Sequence, residues 1–317
     1  MEVRAVALNI NWDFDPERVV RFLEGAKRLG PLTVRVSVKT PPRKGLLQAV
    51  KALEELGVEY IAVGIYEDED LEDLVRTYGI FATVASIDRY LKFLRNIDRR
   101  GEPELARNVA LLLGGYVYDS PYYPAAIVKS EGVSLSLLYP DDINSLADIA
   151  EVLKRAEDVG RSFADSIGEA FLGVDGSLSP WGEKSVAKAI RRVFGVEVGR
   201  WGTHRSIRML NEAIWSSGVK LLGFSEVMLP LAEDEELKRL VEREVLDLYK
   251  LASYASTCVA GLDMAPIEAD SETLRNILLD LEAIAKTKGR PVGVRVFPAS
   301  GQYFEVPGFG KTPVLRP

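Results

Sequence analysis

The chain has 317 residues, 47% of them hydrophobic and 27% charged, with 40 Lys and Arg against 47 Asp and Glu and a formal charge of −7. That balance excludes a disordered polymer, and without a basic run it argues against a nucleic-acid surface, which needs clustered cations to neutralise phosphates. The longest uncharged stretches fall far short of the roughly 20 apolar residues that span a bilayer, and Cys258 is the only cysteine, so no membrane partner and a reducing cytoplasm are expected.

The opening MEVRAVALNINWDFD has no basic n-region, long apolar run or small-residue cleavage site, so no signal peptide is expected and Val3–Ile10 reads as a first strand. Leu32–Val38, Tyr60–Ile65 and Ile80–Ala85 are further short β-branched runs of buried-strand length. Between them, Val19, Val20, Phe22, Leu23 and Ala26 give one helix an apolar face behind Pro16. Leu46, Leu47, Val50, Leu53 and Leu56 give a second, ended by Gly57, with Arg43 and Lys44 of PPRKG as flexible surface bases before it. Strand, helix, strand with short connectors is the parallel βα unit.

A helical insertion is expected from about Ile87 to Leu113, then a turn-rich loop, GGYVYDSPYYP. Its Tyr116, Tyr118, Tyr122 and Tyr123 are expected as an exposed interface for a homodimer, since tyrosine combines a large apolar ring with a polar tip. A strand at Gly132–Leu138, a helix at Asp141–Ile167 and a strand at Ala170–Val174 follow. Helices at Lys184–Phe194 and His204–Trp215 precede a strand at Lys220–Gly223. One long helix from Glu235 to Ser253, another from Glu272 to Lys286 and a strand at Val292–Phe297 complete the pattern. No linker divides it, so residues 1–317 are expected to form a single α/β barrel domain.

Residues just past the strand ends of such a sheet form the ligand-facing rim. Glu67, Asp68, Ser86, Asp141 and Asp142 there read as helix caps, each directly before a helix pattern. Asp175 in FLGVDGSLSP is followed by small residues, among them Ser177, and suits either an Asx-turn or the close approach of a ligand. GRWGTHR sets Gly202, Thr203, His204 and Arg205 at a helix start, where free N–H groups favour an anion. With His204 the only histidine, a multi-histidine metal site is excluded. Glu226 and Asp263 are single carboxylates in apolar surroundings, where burial raises a pKa and suits proton transfer. Asp175 with Glu226 also supplies the oxygen ligands a divalent cation prefers. Cys258, in a run of small residues, reads as a packing residue or, beside a base, as a nucleophile.

The blocks FLGVDGSLSP, GRWGTHRSIRMLNEAI, GFSEVMLPLAEDEEL, TCVAGLDMAPIEAD and VRVFPASGQYFEV, in that order, resemble the domain-of-unknown-function 711 family, also known as uncharacterised protein family 0210. The resemblance is carried by residues from about Phe171 to Val306. The family has a Pro-Gly-Asp-like stretch after the segment matching Gly261–Met264, where this chain has Glu268, Ala269 and Asp270. The resemblance implies a barrel like that of the glycyl-radical enzymes: ten strands in two opposed half-barrels around a central finger loop, with the Cys258 loop a candidate for the centre. Gly301 lacks the neighbours of a radical glycine, because Phe297, Pro298 and Ala299 separate Arg295-Val296 from Ser300-Gly301; it reads as a turn.

These readings point to an enzyme acting on a small anionic metabolite inside the barrel. Cys258, Asp263, Glu226 and Asp175 would be its catalytic residues, and Ser177, Gly202, Thr203, His204 and Arg205 its ligand contacts. The alternatives are a non-catalytic ligand-binding or regulatory protein using the same pocket, and a structural oligomer subunit. Glutamine occurs only at Gln48 and Gln302 amid abundant Glu, Arg and Lys, a profile that leans toward a thermophile.

Overall fold

A computed structural model describes residues 2–40 and 43–317; Pro41, Pro42 and the side chains of Arg43 and Lys44, expected as surface bases, lie outside the described residues. The first half alternates: β1 (Glu2–Ile10), α1 (Pro16–Leu29), β2 (Thr33–Val38), α2 (Arg43–Glu55), β3 (Tyr60–Ile65), α3 (Leu71–Tyr78), β4 (Phe81–Val84), α4 (Ile87–Arg99) and β5 (Val109–Leu113). These five strands pair in parallel in chain order. Asp15 starts α1 by accepting the Glu17 N–H, and Ser86 starts α4 by accepting that of Arg89, each satisfying a donor the helix itself leaves free. The end of the expected helical insertion is a strand. Val109–Leu113 is buried at every position, and five consecutive apolar residues after a 3-10 turn at Pro103–Asn108 suit a buried strand better than a one-sided helix.

The second half comprises β6 (Gly132–Leu138), α5 (Leu146–Ile167), β7 (Phe171–Asp175), α6 (Val186–Phe194), α7 (Thr203–Trp215), α8 (Glu235–Glu242), α9 (Leu248–Tyr254), β8 (Ala265–Ile267) and α10 (Ser271–Lys288). β9 (Val292–Val294), β10 (Val296–Pro298), β11 (Tyr303–Val306) and β12 (Gly310–Pro313) follow. An eight-stranded, mainly parallel sheet runs β7-β6-β1-β2-β3-β4-β5-β9. β6 is antiparallel to β1 and β9 antiparallel to β5, so the strands from the second half run against those of the first. The single helix expected over Glu235–Ser253 is two. After α8 the chain turns through Glu244 at φ 57°, the Val245 and Leu246 N–H groups return to Leu240 O, and Asp247 caps α9 by accepting the Lys250 N–H. A continuous apolar stripe survives this break, which is why the stripe alone reads as one helix.

Alternation along the strands sorts side chains between two faces. Val6, Leu8, Ile10, Val36, Val38, Ile61 and Val63 join the main core with the helices. The intervening residues, among them Ala5, Ala7, Asn9, Ser37, Ala62, Ser134 and Ser136, are buried but small or polar. They leave room on that face, and residues 117–128 of the β5–β6 connection fill it. Ser37 Oγ meets Tyr123 OH at 2.9 Å, Thr83 Oγ1 donates to Pro124 O at 3.0 Å, and Asn9 Nδ2 donates to Asp119 Oδ1 at 3.0 Å. Tyr122 and Tyr123 are therefore 6% and 8% exposed, not surface groups; of the four tyrosines expected at an interface only Tyr116 and Tyr118 are exposed. Residues 117–128 enter the space on that face, and the loop carrying Cys258 meets them there, with Val259 and Ala260 packed in one cluster with Tyr122, Ala125 and Ile127.

Candidate functional site

Arg4 is the extra residue of a bulge in β1, where the register with β6 shifts between Val3 and Ala5. A bulge re-aims a side chain, and here a 4% exposed arginine faces the interior rather than solvent. On β2, Arg35 alternates with Val34 and Val36 and projects to the same side, 7% exposed. Both line a cavity of about 110 Å³, together with Glu233, Asp263 and Arg295. Glu233 comes from the short turn ahead of α8, Asp263 from the loop ahead of β8, and Arg295 from between β9 and β10.

The charges are arranged by pairing. Arg4 Nη2 donates to Glu233 Oε2 at 2.6 Å, and Nη1 reaches Ser179 Oγ at 3.2 Å and Pro180 O. Its guanidinium also lies over the Trp181 ring at 4.9 Å and the Tyr122 ring at 5.3 Å. Arg295 grips Asp263 with Nε at 2.6 Å and Nη2 at 2.7 Å, the bidentate geometry that arginine favours, and reaches Glu233 Oε1 at 3.2 Å. Arg35 differs. Its Nε donates to Thr33 Oγ1 at 2.9 Å and its Nη1 to Pro121 O at 2.7 Å, with Tyr123 at 4.9 Å below the plane. Among the described residues it has no carboxylate partner. Burial, followed by the charge of Arg4, lowers its pKa from 12.5 to about 10.

Two carboxyl groups in this cavity are pushed apart. Burial raises the Glu233 pKa, but Arg4 and Arg295 together overcome it and hold the group below the ordinary glutamate value. Burial pushes Asp263 above the ordinary aspartate value against the pull of Arg295. The two acids thus sit in different surroundings, Glu233 between two arginines and Asp263 against one.

The remaining sequence candidates lie elsewhere. Asp175 is fully buried and joins three segments: it accepts Ser120 Oγ at 2.7 Å, Ser177 Oγ at 2.6 Å, and the N–H groups of Ser177, Phe224 and Ser225 at 3.0–3.1 Å. Burial pushes its pKa up against these donors. Glu226 is bound by Lys288 Nζ at 2.6 Å and by Arg290. Its backbone N–H reaches Ser177 Oγ at 3.3 Å, so Asp175 and Glu226 are neighbours through the backbone, each carboxylate already occupied. Among the described residues no three His, Cys, Asp or Glu side chains gather as a metal-binding group. Gly202 caps α7 at φ 100°, the Thr203 N–H is taken by Arg200 O at 3.2 Å, and His204 and Arg205 are exposed, with His204 Nδ1 3.1 Å from Thr257 Oγ1. None of these four lines the cavity. Asp234 caps α8 as expected, accepting the Glu236 and Leu237 N–H groups.

Cys258 is fully buried in the main core, and burial pushes its thiol up to about 12, opposed by Lys288. A thiol so far from ionisation is a packing residue rather than a nucleophile. A thiol reagent should accordingly leave Cys258 unmodified in the native protein and react fully in denaturant; rapid native-state reaction would contradict the burial.

Arg4, Arg35, Glu233 and Arg295 were not singled out in the sequence. The signal was there for the first two: a charged side chain inside a strand buried on both sides is rare unless something pairs it.

The sequence profile described as Uncharacterised ACR (DUF711) matches residues 141–304, about half of the chain. UPF0210 protein MK1214 of Methanopyrus kandleri is 31% identical over 228 residues, covering 68% of this chain and 48% of that protein. A UPF0210 protein of Limosilactobacillus reuteri is 30% identical over 210 residues (64% and 45%), and one of Desulforamulus reducens 32% identical over 211 residues (64% and 44%). The chain spans about half the length of the curated relatives it matches. Glu233, Asp263 and Arg295 all fall within the matched residues, and the chain belongs to the DUF711 family.

Proposed function

We propose that the chain is the binding core of an enzyme that holds a small anionic metabolite in this cavity and transfers a proton at Asp263. The observation that carries the reading is Arg35, a guanidinium withdrawn from water that, among the described residues, is hydrogen-bonded to no carboxylate and feels the Glu233 charge only at a distance. Burying an unpaired charge costs several kcal/mol, so such a group is retained where a ligand supplies the missing anion. Arg4 and Arg295 hold Glu233 as a fixed anion, while burial raises the Asp263 pKa against the pull of Arg295, which makes Asp263 the candidate proton carrier of the pair.

The proposed setting is a closed barrel of two opposed half-sheets around residues 117–128, akin to the glycyl-radical enzymes in architecture but without their radical. Backbone contacts beyond the sheet support closure: Gly293 N–H to Val259 O, Val259 N–H to Val227 O, and Leu222 N–H to Val174 O. Gly301, exposed in the turn before β11, supports the exclusion of radical chemistry.

The test is a metabolite-pool screen of the wild type and Asp263→Asn. Turnover by the wild type that falls about 10²–10⁴-fold in Asp263→Asn, the usual contribution of a general acid or base, with ligand affinity kept, supports the reading. Equal turnover removes Asp263 from the chemistry. Binding by both proteins with no consumption makes this a binding or regulatory protein.

A further inference from the structure

Resting on the anion-binding reading, we infer that the ligand is a small dianion, its two negative charges met by Arg35 and Arg107. The cavity lining contains four arginines, Arg4, Arg35, Arg107 and Arg295, and two carboxylates, Glu233 and Asp263. Glu233 is shared by Arg4 and Arg295, and Asp263 is held by Arg295. That pairing uses both acids and leaves Arg35 and Arg107 without a carboxylate among the described residues. Among the described residues Arg107, in the turn ahead of β5, makes one long hydrogen bond of 3.3 Å, from Nη1 to Pro307 O.

The two cations share a wall with one side chain. Arg35, Arg107 and Tyr60 line the same cavity, and the Tyr60 ring lies 5.8 Å from the Arg35 guanidinium. Glu59, exposed and outside the lining, also acts on that phenol. A second buried observation points the same way. Arg4 Nε has no hydrogen-bond partner among the described residues although Arg4 is 4% exposed, leaving a donor unmatched in the same cavity. A monoanion would leave one guanidinium uncompensated in a partly desolvated wall. A doubly charged oxyanion, either a phosphate monoester or a short dicarboxylate, balances both.

The experiment measures binding of two isosteric pairs by calorimetry at pH 8: phenyl phosphate against phenyl sulfate, and succinate against succinamate. Each pair differs by one negative charge at nearly constant shape. The inference expects at least one dianion to bind about 10-fold or more tighter than its monoanionic partner, the pair that does so distinguishing phosphate ester from dicarboxylate. Arg107→Gln should erase that preference while keeping monoanion binding, and Arg107→Lys should restore part of it. Arg35→Gln should weaken all four compounds. Equal binding of dianion and monoanion by the wild type overturns the dianion while leaving the anion cavity standing. Failure of all four to bind overturns both.

Discussion

Arg35→Met is expected to stabilise the free protein while removing its anion binding. The folded pKa of about 10 lies below the unfolded 12.5, so below pH 10 the charged side chain costs stability, and the cost is relieved only as pH rises through that interval. A depression of this size corresponds to about 3 kcal/mol at neutral pH. Against that stand the hydrogen bonds to Thr33 and Pro121, and the Pro121 carbonyl would lose its donor. Met fills a comparable volume without charge, and such replacements of buried ionic groups are commonly neutral or stabilising by about 1–4 kcal/mol. We expect a net gain of about 1–2 kcal/mol, which follows from the larger of the two opposing effects. Ligand-induced stabilisation should vanish, since a charge-assisted contact is worth about 10- to 150-fold in affinity. Thermal melts with and without the anions named above measure both effects at once. A variant that is less stable and still binds would show that Arg35 is structural.

The opposite outcome is expected at Asp175. Asp175→Ala removes the acceptor for the Ser177, Phe224 and Ser225 N–H groups and two serine hydroxyls, all in a fully buried setting. Each orphaned buried donor costs about 1–3 kcal/mol. With the hydroxyls free to turn toward other acceptors, the backbone donors dominate, and a total loss of about 4 kcal/mol or more is expected, enough to unfold a marginal domain. Denaturant titration measures it. Asp175→Asn, which keeps acceptor capacity on one oxygen only, should fall between the two. A loss under about 1 kcal/mol for Asp175→Ala would mean that these donors find water or other partners. Because Ser120 belongs to the segment filling the sheet interior, the loss should also loosen Tyr122 and Tyr123 at the cavity wall.

Much of the architecture was present in local patterns. Val6, Leu8 and Ile10 alternate with small residues along β1, and the helix caps at Asp15, Ser86, Asp234 and Asp270 are side chains acting on N–H groups two or three residues away. Such features need only neighbours in the chain, so composition and spacing determine them. The break between α8 and α9 was local too, signalled by Asp247 as a second cap, but a continuous apolar stripe outweighed it.

The site depends on residues that meet only after folding. Asp263 and Glu226 look alike in sequence, each a lone carboxylate among apolar residues, and what separates them is which cation arrives: Arg295 at the cavity, or Lys288 and Arg290 away from it. Tyr122 and Tyr123 read as surface groups because a tyrosine-rich turn has the same local pattern inside or outside. Their burial follows from Ala5, Ala7, Ser37 and Ala62, small residues on three strands that together leave a space. Arg4 and Arg35 were passed over although charges within buried strands are a signal, and only the fold gives Arg4 its Glu233 and leaves Arg35 hydrogen-bonded to no carboxylate among the described residues. Hydrophobic periodicity is a property of consecutive residues and survives in the sequence. Charge compensation is a property of distances between remote segments, and the tertiary structure alone decides it.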